Sequence, residues 1–114
     1  MHALVIEDEP LLAWDLKDYL LDLGYCSVDM AASEIQALEA ARRHWPDLIT
    51  ADYNLTAGNG VAAVQAICAE RSTPVVFVTS DPLKVLARVA NAVVIGKPWS
   101  VEHLLAGIRR AHEM

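Results

Sequence analysis

Short apolar runs alternate with longer stretches of helical periodicity about five times along this chain, the signature of β-α units packed around a parallel sheet. Ala3 to Ile6 reads as a first strand. Pro10 suits a first helical turn. The helix it opens sets Leu12, Leu16, Tyr19, Leu20 and Leu23 on one face and Asp15, Asp18 and Asp22 on the other, until Gly24 stops it. Tyr25 to Met30 is a second strand, more polar than the others and so expected at an edge. Ser33 and Gln36 have the spacing of a capping box, for a helix running to about Trp45. Leu48 to Ala51 is almost wholly apolar, which predicts the central strand. Tyr53 to Gly60 holds two glycines and two asparagines, which predicts a mobile, turn-rich loop. A third helix follows from Val61 to Arg71, and Pro74 precedes a fourth strand, Val75 to Val78. Asp81-Pro82 reads as cap and first turn of a short helix to about Ala90. Val93 to Gly96 is the last strand, and Ser100 caps a final helix whose apolar face is Leu104, Leu105, Ile108 and Ala111.

The size of the chain, 114 residues, predicts one domain, residues 1–114, with enough apolar surface to build a core unaided. A composition of 54% apolar and 21% charged residues excludes disorder. The formal charge of −6 and the lack of a basic run beyond Arg42-Arg43 and Arg109-Arg110 exclude direct nucleic-acid binding, which needs a patch able to displace counterions. Cys26 and Cys68 have no metal-ligand spacing and read as small buried apolar residues. His2, His44, His103 and His112 look scattered and are given no phosphate-carrying role. Nothing resembles a charged leader, and no stretch approaches the ~20 apolar residues of a membrane span. A reducing cytoplasm is the expected setting.

Five residues carry the chemistry. Glu7 and Asp8 follow the first strand, Asp52 the third, Thr79 the fourth and Lys97 the fifth. Parallel strands bring such residues to one sheet edge, where open α/β folds bind ligands. Three carboxylates drawn together would raise one another's pKa, and a hard divalent cation, Mg²⁺ or Mn²⁺, relieves that repulsion. Asp52 could then form an acyl phosphate. Phosphoryl transfer asks mainly for positioning and charge neutralisation. Lys97, before Pro98, is placed to hold a phosphate oxygen, Thr79 offers a hydroxyl, and Ser80 leaves room. Taken alone, each has an ordinary reading: adjacent acids favour a helix start, Thr commonly ends strands, and Asn54 is a turn former.

Together these residues resemble the receiver domain of bacterial response regulators. The likeness runs from Ala3 to His112 and rests on four segments: Leu4 to Pro10, Asp47 to Leu55 with Gly60 beyond, Val78-Thr79-Ser80, and Lys97-Pro98-Trp99. It implies a doubly wound, five-stranded parallel α/β sheet of flavodoxin-like type, in strand order 2-1-3-4-5. It also implies that Asp52 takes a phosphoryl group from a histidine kinase or histidine phosphotransfer protein. Asp8 and Asp52 would ligate Mg²⁺, Glu7 would act through water, and Asn54 would lend its backbone carbonyl. Thr79 and Lys97 would bind the phosphoryl oxygens, with Asn54 and Asp81 tuning the lifetime of the product. A downstream protein would read the face of the fourth helix, fifth strand and fifth helix, and a phosphorylation-dependent homodimer is one form that output could take. No catalysis beyond the domain's own phosphorylation and dephosphorylation is expected.

Three departures stand out. Thr56 replaces the usual proline, which predicts a looser loop. Lys97 follows Thr79 after a shorter interval than usual, so the fourth helix should be clipped. Val94 stands where an aromatic ring commonly swings, which removes the usual threonine-aromatic coupling. Three other readings compete. A degenerate receiver would bind partners without phosphorylation. A haloacid-dehalogenase-type phosphatase would need an acid where Asn54 stands. A flavodoxin-like FMN binder would have its phosphate repelled by Glu7-Asp8-Glu9.

Overall fold

The computed structural model describes residues 1–113; Met114, the last residue of the expected domain, lies outside them. Five strands, β1 (His2–Ile6), β2 (Ser27–Ala31), β3 (Leu48–Ala51), β4 (Val75–Thr79) and β5 (Val93–Gly96), form one parallel sheet. Its order is β2-β1-β3-β4-β5, so β3 is central and the more polar β2 lies at an edge. The helices are α1 (Pro10–Asp22), α2 (Glu34–Arg43), α3 (Gly60–Glu70), α4 (Pro82–Leu86) and α5 (Val101–Glu113).

Alternation along the strands divides the core in two. Leu4, Ile6, Ile49, Ala51 and Phe77 face α2, α3 and α4, meeting Ala37, Ala41, Val61, Ile67 and Val85. Ala3, Val5, Leu48, Val76, Val78 and Val93 face α1 and α5, meeting Ala13, Leu16, Leu20 and Leu104. Thr50 shares that second face, and its buried hydroxyl has no hydrogen-bond partner among the described residues, a cost of order 1–3 kcal/mol accepted at the centre of the sheet.

Several element ends differ from expectation. β2 begins at Ser27, leaving Cys26 exposed just before it, so that thiol is not a core residue; Cys68 is half-buried. Leu23 is exposed at the C-cap of α1, while Ala13 takes a core position. Trp14 is half exposed under Lys17, and Leu105 lies at the solvent edge of α5. α2 starts at the expected cap, with Gln36 N donating to Ser33 Oγ, but the returning bond from Gln36 satisfies Ala32 N. Asn59 caps α3 through Ala62 N. The fourth helix is clipped further than expected, to five residues, and Asp81 does not cap it with its side chain.

Candidate functional site

β1, β3 and β5 run parallel, and Glu7, Asp52 and Lys97 continue the alternation that puts Val5, Leu48 and Ile95 on the α1/α5 face. They therefore meet. Lys97 Nζ donates to Glu7 Oε1 at 2.5 Å and to Asp52 Oδ2 at 2.8 Å. Glu7 and Asp52 are buried, at 4% and 5% exposure, so two desolvated carboxylates share one ammonium group. Asp8, at the rim, completes a carboxylate triad whose ligand oxygens lie within 4.8 Å of one another.

Burial pushes the Glu7 carboxyl above its usual range, against hydrogen bonds from Lys97 and the Glu9 amide. Burial by itself pulls Lys97 down. Hydrogen bonds to Asp52 and Glu7 outweigh that and hold its ammonium above the ordinary value.

Hydrogen bonds close a circuit around Asp52. Asn54 N donates to Asp52 Oδ1 at 3.4 Å, and Asn54 Nδ2 donates to Asp81 Oδ2. Asp81 N donates to Thr79 Oγ1 at 3.1 Å, Lys97 N donates to Thr79 O, and Lys97 Nζ returns to Asp52. Thr79 thus accepts on its hydroxyl and keeps its own proton to donate. The carboxylate expected to cap α4 is engaged by Asn54, which explains the missing cap. Ser80 is exposed beside this circuit, and Val94 is half-buried opposite Phe77.

The loop after β3 is tied down rather than loose. Thr56 Oγ1 donates to Asp8 Oδ2 at 2.9 Å. Glu34 Oε2, from the start of α2, accepts from Asn59 N at 3.0 Å, and Glu34 N reaches Ala57 O. Gly60 packs so closely that a Cβ there would lie 1.8 Å from the Asp52 carbonyl oxygen. These three contacts escape a reading by composition. The only sequence signals are a hydroxyl where proline is usual, an acid one residue after a cap, and a glycine at a fixed distance from Asp52.

The family profile described as response regulator receiver domain matches residues 3–109. The chain belongs to that family. It is similar to the transcriptional regulatory protein PdtaR of Mycobacterium tuberculosis, 34% identical over 96% of this chain and 56% of that protein. Phyllosphere-induced regulator PhyR of Methylorubrum extorquens is 35% identical over 96% of this chain and 43% of its own length. The chain thus spans about half the length of these curated relatives. Among solved structures, the receiver domain of Erythrobacter litoralis PhyR matches with a TM-score of 0.90 at 31% identity, over 99% of this chain and 90% of that one. PhyR of Brucella abortus gives 0.86 at 30%, over 96% of this chain and 46% of that one. The flavodoxin-like order predicted from the resemblance is the order found.

Proposed function

We propose that Asp52 is a phosphoacceptor whose modification is read by another protein. The single observation that carries this is Lys97 Nζ bridging two buried carboxylates from different strands, beside a third acid. A lone structural ion pair would need one acid. Three acids with one ammonium retain net negative charge, and their hard oxygens fit Mg²⁺ or Mn²⁺.

Asp8, Asp52 and the Asn54 carbonyl would hold the ion, with Glu7 acting through water; once bound it would supply positive charge to the phosphoryl oxygens. An Asp52 carboxylate oxygen attacks phosphorus as the bond to the donor's histidine nitrogen breaks. Lys97 Nζ and the Thr79 hydroxyl proton are the protein's own donors to the transferred oxygens. Asn54 and Asp81, joined to each other, flank the path of the hydrolytic water, and small Ser80 leaves the group room. The donor is a histidine kinase or histidine phosphotransfer protein, and residues 1–114 act as one receiver domain in the cytoplasm. Among the described residues no helix is long and apolar enough to cross a membrane.

Phosphorylation adds about −1.5 to −2 charges near neutral pH. Drawing Thr79 toward them releases the Asp81 amide and so moves the start of α4. Val94 offers no ring to follow, which makes α4 itself the moving part of the α4-β5-α5 face. A downstream protein, or a second copy of the chain, reads that face.

The test is intact-mass measurement after incubation with acetyl phosphate and Mg²⁺. One added phosphoryl group, absent without Mg²⁺ and absent in Asp52→Asn, is the expected result. No gain under any condition would establish the degenerate receiver instead. Steady hydrolysis of a phosphate ester would favour the phosphatase reading.

A further inference from the structure

The far end of the sheet gathers a second cluster of side chains of metal-ligating type. His2 opens β1 and Glu7 follows it, so the two sites lie roughly 16 Å apart at ~3.3 Å per residue. His2 shares the α2-facing side of β1 with Leu4 and Ile6, and the strand register sets it against Ser27, two residues before Asp29. Its ring is buried, with Nδ1 at 2.7 Å from Ser27 Oγ and Nε2 at 3.1 Å from Asp29 Oδ2. α2 ends at Arg43, and the extended backbone of His44 folds that residue's ring back onto His2, with centroids 3.6 Å apart and planes 8° from parallel. The two histidines that look unrelated in sequence are therefore stacked.

We propose that His2, Asp29 and His44 form a binding site for a transition-metal dication of the Zn²⁺ class, separate from the acidic pocket. Their ligand atoms lie within 4.8 Å of one another. If Ser27 Oγ accepts from Nδ1–H, the Nε2 lone pair faces a carboxylate oxygen, and the space between them calls for a proton or a cation. The 3.1 Å separation is close to the ligand-to-ligand edge of a coordination shell with bonds of about 2.0–2.1 Å. Ser27 then plays the outer role common beside metal-bound imidazoles, fixing the tautomer and the ring plane. Stacked rings do not aim their lone pairs at one point. His44, exposed at a helix end, tilts out of the stack to supply the third ligand, and water completes the shell. Two imidazoles and one carboxylate select a borderline metal over Mg²⁺, which the all-oxygen pocket suits.

The experiment is titration of the full chain with Zn²⁺ against a background of excess Mg²⁺, followed by calorimetry and by ¹⁵N chemical shifts. One equivalent should bind in the micromolar range, with shifts at residues 2, 27, 29 and 44. His44→Ala, on an exposed helix end, should weaken binding at least about tenfold, as should Ser27→Ala. Unchanged affinity in His44→Ala, shifts concentrated at residues 7, 8 and 52, or no binding at all would each overturn the proposal.

Discussion

Glu7 is the residue at which the cost of the pocket is concentrated. Its folded-state pKa is raised, chiefly by burial, so across the interval between its unfolded and folded values the folded protein binds more protons than the unfolded one. Stability therefore falls as pH rises through that interval, from about pH 4.3 upward. Urea midpoints of the metal-free protein should show this slope, and Glu7→Gln should lack it. Asp8 has a different neighbour. The Thr56 hydroxyl holds one of its oxygens in place, so Thr56→Val should weaken Mg²⁺ binding about tenfold by calorimetry while the fold survives. The identities of Glu7, Asp8, Asp52, Thr79 and Lys97 were legible in sequence because each directly ends or follows an apolar run. Thr56 was read only as a missing proline, since its hydroxyl bond spans 48 residues and leaves no local pattern. The stacking of His2 on His44 leaves no local pattern for the same reason.

The β3-α3 loop and α4 show what limits a reading of elements. Composition predicted mobility between Tyr53 and Gly60, yet Glu34, Thr56 and Asn54 anchor that loop to three other parts of the chain. Gly60 fixes its end. Gly60→Ala gains at most about 1 kcal/mol of helix propensity, but its new methyl must displace the Asp52 carbonyl, which costs about 2–3 kcal/mol. A net loss in urea-determined stability, with slower phosphorylation by acetyl phosphate, is the expected outcome. The clipped α4 was foreseen from the short interval before Lys97. Its true length was not, because Asp81 is drawn to Asn54 and the segment after Leu86 continues in turns. Boundaries at β2 shifted by two residues at the start because Tyr25 is buried without joining the sheet.

At the scale of the molecule the parallel sheet with helices on both faces follows from five apolar runs and right-handed crossovers, whereas the strand order rests on the family resemblance. Beneath α4 the packing is thin: Val85 is buried, while Leu83 and Leu86 stand exposed. Hydrogen exchange with and without beryllofluoride should therefore change across residues 80–91 more than across α5; a response confined to residues 7, 8 and 52 would refute readout through α4. Lys97 has one last consequence. Because its amine is shared by Glu7 and Asp52, part of the pocket's negative charge is offset by the chain itself, whether or not a cation is bound. On the proposed reading, magnesium starvation would leave the domain folded but unphosphorylated, able to respond again once the ion returns.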